Sequence, residues 1–345
     1  MALDLNYKPI ALVDTSTLTE QEWLAWRKKG IGGSDVAAAL HMSPYKTARD
    51  LYFDKIGVES TIPQPDRSIT FSIGHLLEDV VAQIFSAKTG FSVYRDPMMY
   101  QHPLFPFMLA DVDRFVILPD GKRAILECKT AHYNMRFAWM NGSVPRHYEL
   151  QVRHYMSVMN IDVAYIACLF SNHEDDFVWQ RIDRDLEDEE NTIGLLESFW
   201  KDNVCAQKEP PLVEKPDLVL ETIANFSAQA DKSLPALNLD AQLAGALEQI
   251  FQWKEEKTEL DRKSRQLDGK IKSAYAPIVE LMGATCTASC DTGNGTRFFV
   301  SYNPNYREVI PKDQLSQLRA QYPEIYRDFV ENKVYRTFEI RKTAC

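Results

Sequence analysis

The chain has few cysteines for its length. There are six in 345 residues, at 128, 168, 205, 286, 290 and 345. Only Cys286 and Cys290 lie close together, and no Cys or His pair completes a zinc pattern. A disulfide framework and an iron–sulfur cluster are therefore not expected, and a reduced, cytoplasmic setting is. No run approaches the roughly 18–20 consecutive apolar residues of a membrane helix. The first residues, Met1 to Asn6, lack the basic start and apolar stretch of a secretory signal. There is no internal repeat and no low-complexity tract. Positive charge is also in deficit, with 39 Lys and Arg against 49 Asp and Glu, a net charge of −10. That is a mild argument against a nucleic-acid partner, whose phosphates call for a basic surface. Distribution outweighs the total, however. The acidic run Asp183 to Glu190 opens an amphipathic pattern and reads as a solvated helix start. Arg27, Lys28, Lys29, Lys46 and Arg49 cluster near the N-terminus. An acidic shell around a basic cleft reconciles the two.

What is present is ordinary for a soluble globular protein: 45% hydrophobic and 26% charged residues. The length favours two domains over one. Thr17 or Thr19 can cap a first helix through Lys28, Gly30-Ile-Gly-Gly33 breaks it, and Ser34 or Asp35 caps a second over Val36–Met42. A third helix is expected over Thr47–Ile56. Another follows over 72–89, with Leu77, Val80, Val81, Ile84 and Phe85 inward and Gly90 closing it. Further along, 146–160 reads as a helix, Val163–Phe170 as a buried strand, Phe177–Ile182 as its neighbour, and the acidic run as a helix to about Asn203. The Pro-bearing stretch 208–216 is the best linker. It divides a domain at 1–207 from an accessory helical or α+β domain at 217–345. There the pattern predicts one or two long helices over 240–282, a hairpin over 284–303, a helix over 311–335 and a final strand over Val334–Arg341.

The most informative segment runs from Phe107 to Thr130. Two arms rich in β-branched and aromatic residues flank Pro119-Asp120-Gly121, a hairpin signature. Gly121 takes the left-handed third position that three-residue hairpin loops favour. Closing the loop with Leu118 opposite Lys122 sets Asp113 opposite Glu127 and Asp111 opposite Lys129, all four on one face. Two carboxylates directly opposed destabilise a sheet. A divalent cation reverses that cost, and Mg²⁺ suits a site of two carboxylates, a backbone carbonyl and a substrate phosphate. Lys129 would orient or deprotonate water, or stabilise charge on the phosphate. This is the D…ExK arrangement of metal-dependent phosphodiesterases. The E-x-K spacing alone is weak, because it recurs at Glu255–Lys257 and Glu331–Lys333 in helix-like segments. The alternative is a solvated hairpin face with a cross-strand Asp111–Lys129 pair.

Three further signals stand nearby. Arg27 precedes Gly30-Ile-Gly-Gly-Ser34-Asp35, where a capping serine, a helix N-terminus and an arginine can form a phosphate pocket; ordinary capping with a surface arginine is the plainer reading. Glu78 falls beside the buried stripe of the 72–89 helix, where an unpaired carboxylate is costly. A metal or Lys129 would satisfy it, and a partly exposed glutamate is again the plainer reading. Gln151 and Tyr155 are four apart and share a helix face that can hold a water or the scissile phosphate, whereas His154 reads as a surface or packing residue.

In order along the chain, Trp23-Leu-x-x-Arg27, Gly32-Gly-Ser34-Asp35, Gly74-x-x-Leu-Glu78, Asp113, Glu127-x-Lys129 and Tyr148-x-x-Gln151 resemble the YqaJ-type viral recombinase family, which includes the lambda-type phage exonucleases. The resemblance covers about residues 15–205. It implies an α/β fold, a restriction-endonuclease-like PD-(D/E)xK core with a mixed central sheet flanked by helices, here followed by a C-terminal α+β extension. It implies Mg²⁺-dependent DNA hydrolysis, with Mn²⁺ able to substitute. Asp113, Glu127 and the Cys128 backbone carbonyl would hold the metal, with Glu78 in support. Lys129 and Gln151 would position the water, and Arg27 and Ser34 would read a terminal 5′-phosphate. The implied activity is a 5′→3′ exonuclease on linear double-stranded DNA that leaves 3′ overhangs for phage-type recombination. The implied partners are a single-strand annealing recombinase and further copies of the chain in a ring, for instance a trimer. A structure- or site-specific endonuclease and a non-catalytic DNA-binding or recruitment module are the alternatives. The chain departs from the family pattern at Asp113-Arg114, where the family has Asp-Gly, and nearby Asp111 is the alternative to Asp113 as metal ligand.

Overall fold

Capping chemistry sets the N-terminal helices. After a strand, β1 (Ile10–Asp14), Thr19 caps α1 (Glu20–Arg27) reciprocally with Glu22. Gly32, not Ser34 or Asp35, is the N-cap of α2 (Gly33–Ala39), because the Asp35 carboxylate reaches back to the Gly32 N–H at 3.2 Å. Thr47 caps α3 (Ala48–Ile56) with Asp50, and Gly57 ends it in the left-handed conformation. These observations come from a computed structural model, which describes residues 3–62, 68–171, 173–227, 233–292, 294, 297–305 and 312–330. The chain divides into two units, Met1–Asp231 and Lys232–Cys345.

In the first unit, α4 (Ser68–Thr89) leads to β2 (Ser92–Tyr94), β3 (Met98–Gln101), β4 (Leu109–Asp111), β5 (Arg114–Ile117) and β6 (Arg123–Thr130). Then come α5 (Arg146–Met159), β7 (Val163–Leu169), β8 (Phe177–Asp183) and α6 (Leu186–Ser198), which runs into a π-helical turn to Cys205. The central sheet has the order β2-β5-β6-β7-β8. Its β6–β7 pairing is parallel and the rest antiparallel, so the sheet is mixed. A second sheet, β1-β3-β4, lies apart from it.

Alternation sorts the strand residues between two apolar layers. Phe115, Ile125, Ala164, Ile166 and Cys168 face α2, α5 and α6. Val116, Leu126, Cys128, Tyr165 and Ala167 face Val81, Ala82 and Phe85 of α4. Val80, expected inward, is 39% exposed.

The hairpin closes as the turn chemistry predicts. Leu118 N–H donates to Lys122 O at 2.9 Å, Gly121 has φ +82°, and Arg114 pairs with Leu126. The outer arm is not one strand, however. It breaks at Val112-Asp113, and β4 leaves for the other sheet, where Asp111 pairs with Met99 rather than Lys129. The stretch expected as a linker is docked on the first unit. Arg49 donates twice to Pro210 O, at 2.9 and 2.8 Å, and Glu214 accepts from the Ala48 N–H at 2.8 Å. Next, α7 (Pro216–Phe226) stacks Phe226 on Phe53, with ring centroids 4.2 Å apart.

The second unit contains α8 (Ala244–Met282), β9 (Thr287–Asp291), β10 (Arg297–Ser301), α9 (Lys312–Gln321) and α10 (Pro323–Phe329). The expected hairpin pairs Asp291 with Arg297, while the expected helix over 311–335 is interrupted at Tyr322-Pro323. The strand expected over Val334–Arg341 lies outside the described residues.

Candidate active site

Glu127 is the centre of the site. It lies mid-strand on β6, and its side chain is buried on the α5 side of the sheet. Its Oε1 accepts from Lys129 Nζ at 2.6 Å and from Gln151 Nε2 at 2.6 Å. Its Oε2 is buried without a hydrogen-bond partner. An orphaned carboxylate oxygen is expensive, and a proton, a water or a cation would satisfy it. Continuing the β5–β6 register by one residue sets Asp113 against Glu127. The Asp113 Oδ2 accepts from the Cys128 N–H at 2.9 Å. Burial most of all, then the Asp113 charge, pushes the Glu127 carboxyl up to about 8, against the pull of Lys129. Burial pulls the Lys129 ammonium down, but Glu127 and Asp113 outweigh it, so its pKa ends above the usual lysine range. Lys129 also lies 5.2 Å from the Tyr148 ring centroid.

Glu78 reaches the centre from α4. Burial and Asp113 raise its pKa, and it stands 2.9 Å from His75 Nδ1 and 3.6 Å from Arg114 Nη1. Arg114 points to the α4 side of the sheet, where its Nη2 holds Asp79 at 2.6 Å. The departure from the family pattern is therefore an internal tie between β5 and α4. Asp111 stands aside from the centre, accepting from Trp23 Nε1 at 2.9 Å. Gln151 and Tyr155 do share a buried face, with Gln151 Nε2 3.3 Å from the Tyr155 hydroxyl. His154 is a packing residue: its buried Nε2 donates to Leu109 O at 2.9 Å, and burial pulls its pKa down to about 4, so the ring is neutral.

Among the described residues, no three His, Cys, Asp or Glu side chains form a ready-made metal cage. That agrees with the donor set present. Mg²⁺ is commonly held by one or two carboxylates, with water and substrate phosphate completing its shell. Asp113, the orphaned oxygen of Glu127 and a strand carbonyl fit that pattern.

A second cluster surrounds Asp35. Arg27 Nη2 donates to Ser34 Oγ at 2.7 Å and to Asp35 Oδ1 at 3.3 Å. Lys46 Nζ meets Asp35 Oδ1 at 3.0 Å, and Lys55 Nζ meets Oδ2 at 2.7 Å. Burial would raise the Asp35 pKa, yet Lys46, Arg27 and Lys55 hold it well below the carboxylate range. Three cations meet Asp35, and Lys55 also stands 3.9 Å from Asp54, so one positive charge is left over. Lys55 is sealed at 1% exposure, while Arg27 and Lys46 stay accessible at 26% and 35%. Gly33 lets the two clusters approach, because a Cβ there would lie 2.5 Å from the Tyr155 ring and 2.9 Å from Gln151 Cγ. Sequence reading found Arg27 and Ser34 but missed Asp35, Lys46 and Lys55 as a unit. Their spacing in the chain carries no signal of the shared contact.

Residues 22–162 match the model of the YqaJ-like viral recombinase domain. The chain is also 30% identical to the uncharacterised protein YqaJ of Bacillus subtilis (strain 168), over 96% of this chain and 98% of that one. The chain belongs to the YqaJ-like family. Its first unit carries a mixed, helix-flanked central sheet. Among solved structures it is similar to the alkaline exonuclease LHK-Exo from Laribacter hongkongensis, at 18% identity and TM-score 0.44, covering 54% of this chain and 93% of that one. It is also similar to a phage-related exonuclease from Haemophilus somnus 129PT, at 14% identity and TM-score 0.36, covering 52% and 96% respectively. Within the family frame, Glu78, Asp113, Glu127, Lys129 and Gln151 are gathered at one end of the sheet. Arg27 and Ser34 lie in the cationic cluster beside them.

Proposed function

We propose that this protein is a divalent-metal-dependent deoxyribonuclease, a 5′→3′ exonuclease on linear double-stranded DNA that leaves 3′ overhangs for recombination. The observation that carries the reading is Glu127: a buried carboxylate with one oxygen claimed by Lys129 and Gln151 and the other without a partner beside Asp113. Asp113 and Glu127 would hold Mg²⁺, or Mn²⁺ in its place, with the Cys128 backbone carbonyl as a further ligand and Glu78 in support. Bound there, the cation would supply charge at the scissile phosphate and make water easier to deprotonate.

The chain's own groups do the rest. Once Glu127 is ionised, it and Asp113 hold Lys129 protonated, so Lys129 acts by orienting water and countering phosphate charge rather than as a base. Gln151 donates its amide N–H to Glu127, which leaves its amide oxygen as the acceptor it offers to the water. Arg27, Ser34 and Lys46 bind the terminal 5′-phosphate, an end-recognising role that an internal cutter does not need. Family resemblance adds two partners, a single-strand annealing recombinase and a ring of identical subunits around the duplex.

The test uses linear duplexes labelled at each strand end, with 5′-phosphate or 5′-hydroxyl termini, beside a closed circle, in Mg²⁺. Loss of nucleotides from 5′-phosphorylated ends, an intact circle and an inactive Lys129→Ala variant are expected. A cut circle would make the protein an endonuclease. No metal-dependent cleavage of any substrate would leave a binding module.

A further inference from the structure

The second unit contains a long helix whose apolar side is left to solvent. Met282 is the only buried residue of α8. Trp253, Leu260, Leu267 and Leu281 are spaced at multiples of seven and are 60%, 57%, 58% and 89% exposed. Ile250, Ile271 and Ile278 recur at the same interval, each three residues before that series. Charged residues such as Glu248, Glu255 and Arg262 occupy the opposite side. A hydrophobic period of 3.5 residues, broken at Lys257 and Ser264 and running past Pro277, is the pattern of a left-handed coiled coil. A lone helix gains nothing from it.

The charges beside the stripe identify what covers it from Ile250 to Ile271. Ile250, Lys257, Ser264, Ile271 and Ile278 form one core series, with Trp253, Leu260 and Leu267 in the other. Lys254 and Asp261 then border one side, Glu256 and Lys263 the other. When two copies of this helix run antiparallel, each border meets the same border of the other copy. In the register that sets Lys257 beside Leu260 of the second copy, Glu256 meets Lys263 and Lys254 meets Asp261. Each pair occurs twice about the twofold axis. The same register puts Trp253, the largest residue of the stripe, opposite Ser264, the smallest polar one. A parallel pair in register would instead set Glu256 against Asp261, two like charges, and keep one attractive contact, Lys263 with Asp268. Within its own helix Lys263 stands 3.7 Å from Glu259, an exposed pair of little strength.

We propose that α8 pairs antiparallel with α8 of a second copy of this chain, joining two chains through a two-helix coiled coil. The proposal uses no residue of the nuclease site and does not depend on that reading. Polar Lys257 and Ser264 in the core lower the strength of the pair and fix its register.

Light scattering on the full-length chain across a concentration series tests it. Leu260→Glu combined with Leu267→Glu should break the pair and lower the particle mass. Glu256→Lys alone should weaken the pairing roughly 10-fold, since two attractive contacts become repulsive. Adding Lys263→Glu to it should restore the wild-type constant. The proposal is overturned by a monomeric wild type, by a mass indifferent to the leucine changes, or by Glu256→Lys tightening the pair, the parallel outcome.

Discussion

Mg²⁺ binding should tighten roughly 10-fold for each pH unit between 6 and 8 and level off above that. The argument rests on Glu127, whose carboxyl is buried and pushed up to about 8 by burial and by Asp113. Only the ionised carboxylate holds a cation. At pH 6 roughly one molecule in a hundred has Glu127 ionised, and at pH 7 roughly one in ten. The rest must lose a proton on binding. Titration calorimetry with Mg²⁺ alone, in two buffers of different protonation enthalpy, measures both affinity and protons released. Near pH 7 close to one proton should leave per cation. The sign for metal-free stability follows from the same raised value. The contribution of Glu127 is full below its ordinary 4.5 and is lost as pH rises through about 8, a change of up to roughly 5 kcal/mol. Glu127→Gln should abolish metal binding and flatten that slope. A Mg²⁺ affinity flat from pH 6 to 8, with no proton released, would refute the reasoning. It would mean that the Lys129 ammonium, 2.6 Å away, already keeps the carboxylate ionised.

Three further predictions follow from the cationic cluster and its junction with the site. Asp35→Asn takes the buried counter-charge from the sealed Lys55, leaving it the Arg27 carbonyl at 2.9 Å and Asp54 at 3.9 Å, and should cost about 3–5 kcal/mol. That lowers the melting temperature of the first unit by roughly 6–20 °C, and a melt within about 2 °C of wild type would contradict it. Gly33→Ala drives a methyl into Tyr155 and Gln151 and should cost about 1–3 kcal/mol. It should also lower kcat more than it raises KM, because Gln151 is pushed off Glu127; unchanged turnover would show that the ring yields freely. Arg27→Ala should raise KM for 5′-phosphorylated ends while leaving 5′-hydroxyl ends unchanged, and an equal effect on both would remove the end-reading role.

Much of this molecule was legible in its sequence. Pro119-Asp120-Gly121 fixed the hairpin register, and with it the meeting of Asp113 and Glu127, because loop length and one left-handed glycine set that register through neighbouring residues alone. The i, i+4 spacing put Gln151 and Tyr155 on one face for the same local reason. The ordered motifs from Trp23 to Gln151 gave the family. Tertiary structure decided what local rules do not reach. The break at Val112 sends Asp111 to a second sheet and to Trp23, since strand partnership is settled by the whole layer rather than by alternation along one arm. Arg114 is claimed by Glu78 and Asp79 of a distant helix. Asp35, read from sequence as a helix cap, is the anchor of three cations drawn from separate segments. The raised proton affinity of Glu127 also belongs to the fold. A pKa depends on burial and on the charges nearby, and only the packed chain sets either of them.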